Sequence, residues 1–264
     1  MTRKTLRILC FGDSLTSGYF CYGLDYHPYA LKLEDRLKEA FPDADFEIVV
    51  DGVPGDVASF SQFYDRLDAA WKKQSYDWTI VLGGTNDIAY GVPTKNIFAA
   101  LIDIYDIALS RESNVLALTV PECESKGERG TRARNELNRK ILNNKDTGFH
   151  AFDLHSKIPY HSLSEEDRSR YWDDGLHLRD EGYDWMGSHI ADALIAILQR
   201  QGTLGEPALP KTAGPSDVIA MDDQVVFDEE DGNPRNLSEG IPVCNVKLFR
   251  DNSHLTLGEE IRKV

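Results

Sequence analysis

Five short apolar runs, most of them without polar alternation, are separated by longer segments of helical periodicity, and this pattern constrains the fold more than anything else in the chain. The runs are LRILCF (Leu6–Phe11), FEIVV (Phe46–Val50), WTIVLG (Trp78–Gly83), NVLALTV (Asn114–Val120) and the weaker FHAFDL (Phe149–Leu154). A strand with one face in water alternates apolar and polar residues. Runs such as IVV and TIVL do not, so they belong to a parallel sheet covered on both faces. Between them, apolar residues recur at three- and four-residue intervals, the period of an amphipathic helix. The helices are predicted over Pro28–Ala40, Phe60–Trp71, Asn96–Ser110, Arg129–Asn144 and Gly182–Gln201. Right-handed crossovers then give an α/β fold, a doubly wound three-layer α/β/α sandwich on a five-stranded parallel sheet. Its ligand crevice is expected beyond the carboxyl ends of the strands.

After Gln201 the character changes. GTLGEPALPKTAGPSD is punctuated by Gly and Pro, and VVFDEEDGNPRNLSEG is acidic and irregular. Residues 1–201 are therefore expected to form the domain, and 202–264 a C-terminal extension, partly disordered or docked on it. A solvated tail is the favoured reading, although Val218–Met221 and Val243–Phe249 are apolar enough to dock or to pair as strands.

Of 264 residues, 41% are hydrophobic, enough for a real core, and the formal charge is −15. That charge argues against a nucleic-acid partner, which would need clustered Lys and Arg to neutralise phosphates. The four cysteines, Cys10, Cys21, Cys123 and Cys244, form no CxxC pair and fit no zinc spacing. They read as separate thiols of a reducing compartment. The apolar run behind the basic N-terminus, Ile8–Phe11, is too short for a signal-peptide core, and no stretch approaches a membrane span. A cytoplasmic protein is expected. Oligomeric state leaves no trace in the sequence.

Unusual residues stand behind the strand ends: Gly12-Asp13-Ser14 after the first, DGVPGD with Gly52 and Gly55 after the second, and GGTND with Asn86 and Asp87 after the third. YWDDGLHLRDEGY, with Asp174 and His177, precedes the last helix. Singly, each has an ordinary explanation. Ser14 suits a helix N-cap, the glycines a tight turn, Asn86 and Asp87 turns or caps, and His177 and Asp174 a surface loop. Together they supply a chemistry. Ser14 offers a hydroxyl, and His177 an imidazole that titrates near neutrality. Asp174, three residues earlier, can accept a proton from the other ring nitrogen if DGLH is a tight turn. Asp173 is an alternative at four residues. The N–H groups of Ser14 and Gly55 and the side-chain amide of Asn86 can converge on a developing oxyanion. Asp13 is expected to fix the turn that presents Ser14, and Asp87 to cap or hydrogen-bond the Asn86 loop. Tyr19, Phe20, Tyr22, Tyr26 and Tyr90 lie near the site edge, where they can line a pocket, pack in the core or stand exposed. Nothing clusters as metal ligands.

FGDSLTSG, VVDGVPGDVAS, VLGGTNDI and WDDGLHL resemble, in order and spacing, the four blocks of the GDSL, or SGNH, hydrolases; together they span Phe11 to His177. The resemblance implies a flavodoxin-like sandwich and an esterase. It makes Ser14 the nucleophile, Gly55 and Asn86 oxyanion donors with Ser14, His177 the base and Asp174 its orienting acid. It implies no cofactor. Two positions depart from the pattern: Asp51 stands where asparagine usually opens the second block, and Leu178 where proline follows the histidine. The expected partner is a small-molecule ester of a short to medium acyl or acetyl group, with thioesters, lysophospholipids and acetylated sugars left open. No large lid insertion separates the third block from the fourth strand, which disfavours a long-chain lipase. The competing reading is a flavodoxin-like binding module for an anion or small molecule, with Ser14 a cap. It leaves His177 and Asp174 without a purpose.

Overall fold

The computed structural model describes residues 3–204. In chain order its elements are β1 (Lys4–Gly12), α1 (Ser14–Ser17), β2 (Tyr19–Phe20), β3 (Asp25–Tyr26), α2 (Ala30–Ala40), β4 (Ala44–Gly52), α3 (Ser61–Lys73), β5 (Trp78–Leu82) and α4 (Thr85–Ala89). There follow α5 (Thr94–Leu109), β6 (Asn114–Leu118), α6 (Glu128–Asn143), β7 (Phe149–Phe152), α7 (Leu154–Lys157), α8 (Glu165–Tyr171) and α9 (Asp180–Gln201). The apolar patches Val218–Met221 and Val243–Phe249, and Cys244, lie outside the described residues.

The five expected strands form one sheet in the order β4-β1-β5-β6-β7, and every neighbouring pair is parallel. The α/β sandwich read from the apolar runs is the observed architecture. The side-chain alternation of β1 divides the core. Leu6, Ile8 and Cys10 join the layer built with α2 and α9, whereas Leu9 and Phe11 join the layer built with α3, α5 and α6. The central strands β5 and β6 and the second half of β1 are buried on both sides, which is why their sequences lack polar alternation, whereas the edge strand β4 alternates buried and exposed residues over Ala44–Glu47. Among the described residues no helix is long and apolar enough to cross a membrane.

Two features position the site. The chain leaves β1 towards β4 on one side and returns to β5 on the other, so the strand order reverses beside β1. Loops from β1, β4 and β5 therefore open together at one sheet edge. The hairpin β2–β3 and the short helices α1, α4, α7 and α8 were absent from the sequence-based expectation, because elements of two to seven residues carry no measurable period.

Candidate active site

The peptide chain leaving β1 turns at Asp13, the N-cap of α1, whose Oδ1 accepts a hydrogen bond from the Leu15 N–H at 3.0 Å. The cap is thus Asp13, and Ser14 is the first helical residue. Its hydroxyl is released from local duty and lies 2.9 Å from Nε2 of His177, 163 residues later. Both residues are buried, Ser14 at 5% and His177 at 7% exposure.

His177 sits at the end of a tight turn. Its Nδ1 lies 2.8 Å from Oδ2 of Asp174, while Oδ1 of the same carboxylate accepts from the N–H groups of Leu176 (3.1 Å) and His177 (2.8 Å). Gly175 has φ +79, a conformation that glycine adopts without steric cost. The turn closes a small antiparallel ladder: Trp172 bridges Leu178, the Asp173 N–H donates to the His177 carbonyl at 2.8 Å, and the Arg179 N–H donates to the Tyr171 carbonyl at 2.9 Å. This ladder stiffens the stretch where the resemblance led one to expect proline, so Leu178 can pack in the core instead. The Glu124 N–H, donating to the Gly175 carbonyl at 2.7 Å, braces the turn from the loop after β6.

Burial pushes the Asp174 carboxyl up. The hydrogen bond from the His177 ring, its charge and the two backbone donors outweigh that and hold the carboxyl below its ordinary range. It is therefore ionised at neutral pH, the form that fixes an imidazole by accepting its Nδ1 proton. Asp173 does something else. Its Oδ2 accepts from the Cys21 N–H at 2.8 Å, and its Oδ1 lies 3.5 Å from Arg179.

The other two loops meet opposite β1. Gly55 has φ +80, and a Cβ there would touch nothing within 4 Å; the position demands glycine for its backbone angle and not for want of space. Neither the Gly55 N–H nor the Ser14 N–H is used in a hydrogen bond within the described residues. Asn86, buried in α4, donates from Nδ2 to the Asp56 carbonyl at 2.8 Å, which ties it to the residue beside Gly55. Asp87 reaches further than its own loop. Its carboxylate accepts from the N–H groups of Ala58 (2.8 Å) and Ser59 (2.9 Å), binding the loop after β4 to α4.

Arg66 of α3, unremarked in the sequence, completes this brace. It donates to Oδ1 and the carbonyl of Asp51 (2.6 and 2.7 Å), to the Gly12 carbonyl (2.8 Å) and to Oδ2 of Asp56 (2.9 Å). Its guanidinium lies 4.1 Å over the Phe11 ring. The aspartate at position 51 is thus matched by a cation. The signal in the sequence was an arginine within the apolar face formed by Phe63 and Leu67.

Of the five aromatic residues near this edge, Tyr19 stands 4.7 Å from the His177 ring, centroid to centroid. Phe20 packs against the core, while Tyr22, Tyr26 and Tyr90 are exposed. Among the described residues no group of three His, Cys, Asp or Glu side chains could hold a metal ion.

Asp13 is an electrostatic liability. Only Oδ1 has a partner; Oδ2 is buried without one. Burial, with the charges of Asp87 and Asp56, pushes its carboxyl from an ordinary 3.8 to about 7, against the opposing Leu15 N–H and His177 charge. A carboxyl raised on folding binds its proton more tightly in the native state. Its contribution to stability is present at acid pH and is lost as pH rises from about 4 to about 7. Asp13→Asn keeps the cap acceptor and removes the titration. The variant should lose less thermal stability than the parent between pH 5 and pH 8, a difference of a few kcal/mol that melting curves across the range will read.

Ser14, His177 and Asp174 are therefore joined by two consecutive hydrogen bonds. Such a chain can move a hydroxyl proton onto an imidazole and stabilise the cation that results. Comparison with curated proteins finds no match. Solved structures do match in fold. A lipase/acylhydrolase from Enterococcus faecalis is 18% identical, covering 73% of this chain and 96% of its own, with a TM-score of 0.57. An acetylxylan esterase from Geobacillus stearothermophilus, in a catalytic-mutant form, is 16% identical over 74% of this chain and 95% of its own, with a TM-score of 0.59. A putative lipolytic protein of the G-D-S-L family from Desulfitobacterium hafniense is 16% identical, covering 70% and 98%, with a TM-score of 0.57. The family model of the GDSL-like lipase/acylhydrolases matches residues 10–185, from the end of β1 into α9, and the chain belongs to that family.

Proposed function

We propose that this protein is a serine esterase that hydrolyses carboxylic esters of short to medium acyl or acetyl groups through an acyl-enzyme. The observation that carries the reading is the 2.9 Å contact of the Ser14 hydroxyl with His177 Nε2, whose ring is in turn held at 2.8 Å by Asp174. Oγ of Ser14 attacks the ester carbonyl as its proton passes to Nε2 of His177. The tetrahedral oxyanion takes hydrogen bonds from the N–H groups of Ser14 and Gly55 and from the Asn86 side chain. Collapse expels the alkoxide, which leaves as the alcohol with the proton from Nε2. Water then gives a proton to the same nitrogen and attacks the acyl carbonyl; the acid departs and Ser14 regains its proton.

Residues 1–201 carry this activity in the proposal, and 202–264 form an extension. A reducing, cytoplasmic setting is part of the same proposal and rests on the cysteine spacing in the sequence. The acetylxylan esterase among the structural neighbours puts acetylated sugars on the panel of esters to test.

A fluorophosphonate probe tests the nucleophile without knowledge of the substrate. The expected result is one adduct on Ser14, found by peptide mass spectrometry, with parallel loss of short-chain ester turnover. An unlabelled protein that is inert towards esters of every acyl length would leave the binding-module reading in its place.

A further inference from the structure

Among the described residues three that are not glycine have positive φ, and two are adjacent: Cys21 at +51 and Tyr22 at +58, followed by Gly23 at +81. Side chains in this region carry backbone strain, which persists where the surroundings over-determine the conformation. Here the feet of the β2–β3 hairpin are fixed. The Cys21 N–H donates to Asp173 at 2.8 Å, the Tyr183 hydroxyl donates to the Tyr19 carbonyl at 2.8 Å, and the His27 N–H donates to the Gly18 carbonyl at 2.8 Å. The structure thus spends strain to hold a rigid hairpin whose apex is apolar yet solvated. Tyr22 is 85% and Leu24 80% exposed, and Tyr26 is half exposed.

The hairpin abuts the base. The Tyr19 ring lies 4.7 Å from that of His177, and the Tyr26 ring meets Tyr19 edge-on at 5.8 Å. In ester cleavage the imidazole protonates the departing oxygen, so the neighbourhood of His177 is where the alcohol half of the substrate must sit. Asp173 and Asp174 beside it disfavour an anionic group there.

We propose that the hairpin of residues 19–26 binds the alcohol half of the ester and selects alcohols with an apolar or aromatic face, Asp173 holding it in place. This rests on the esterase reading and adds the substrate class. A backbone tied down by these hydrogen bonds presents the aromatic side chains with less ordering left to do on binding, which explains why a strained turn is kept.

Two ester series test it: acetates of ethanol, butanol, benzyl alcohol and naphthylmethanol, and ethyl esters of acetic, propionic and butyric acids. Tyr22→Ala and Tyr26→Ala should each lower kcat/KM for the benzyl and naphthylmethyl esters about tenfold. Ethyl acetate should stay within about twofold and the acyl preference should not change. Tyr22→Gly should show the same loss of selectivity while Tm rises by about 2–4 °C as the strain is relieved. An equal loss on every ester, an unchanged alcohol profile or a shifted acyl preference would overturn the assignment. Wild-type protein that is labelled at Ser14 but shows no alcohol preference defeats this inference alone. Protein that neither labels nor hydrolyses defeats the esterase reading, and this one with it.

Discussion

Ser14→Ala is expected to lower kcat/KM towards a short-chain chromogenic ester by roughly 10⁵–10⁶-fold, the scale on which a serine nucleophile is lost elsewhere. The change removes one oxygen. Asp13 continues to cap α1 through its bond to the Leu15 N–H, and the Asp174–His177 pair keeps its 2.8 Å contact. The fold should therefore survive, with Tm within a few degrees of the parent. That separation matters, because a dead enzyme that is also unfolded says nothing about chemistry. Residual activity above the uncatalysed rate is expected from the oxyanion donors, which the substitution leaves in place. Equal rates for Ser14→Ala and wild type would show that hydrolysis, if present, uses another group.

The second large effect separates two adjacent carboxylates. Asp174→Asn should lower kcat by on the order of 10³–10⁴-fold with little change in KM, because an amide cannot stabilise the imidazolium that forms on proton transfer. Asp173→Asn should lower ethyl acetate turnover less than about tenfold, since position 173 touches Cys21 and Arg179 and not the imidazole. The pH dependence of stability gives an independent reading. The Asp174 carboxyl is depressed in the folded protein, so its stabilising contribution is full above its unfolded pKa and is lost as pH falls through the folded value. Asp174→Asn should flatten the acid side of the Tm–pH curve. Comparable loss of activity in both variants would show that the pair acts as a unit.

The sheet was legible because burial on two faces leaves runs without polar alternation, as in WTIVL and NVLAL, set between segments of helical period. Ser14 and His177 were legible as candidates from residue type and order, but their 2.9 Å contact was not. The distance between Ser14 and His177 depends on how four crossovers stack, and no local pattern records that. Asp174 was preferred to Asp173 on the D-x-x-H pattern of the resemblance, and the structure puts Asp174 Oδ2 2.8 Å from His177 Nδ1 while Asp173 accepts from the Cys21 N–H. Asp87 reads as a loop former, yet its carboxylate serves Ala58 and Ser59, 29 and 28 residues back. Arg66 was hidden for a related reason. Its place on the apolar face of α3 hinted at burial, but its partners come from β1, β4 and the loop after β4, and the helix seen alone names none of them.

One consequence concerns biosynthesis. The Ser14 hydroxyl comes directly after β1 and the His177 imidazole only just ahead of α9, 163 residues on. In the proposed mechanism a nascent polypeptide holds Ser14 without its base until residue 177 has been made. Ester turnover then needs the turn of residues 174–177 released from the ribosome and docked, so activity would report that this part of the fold is assembled.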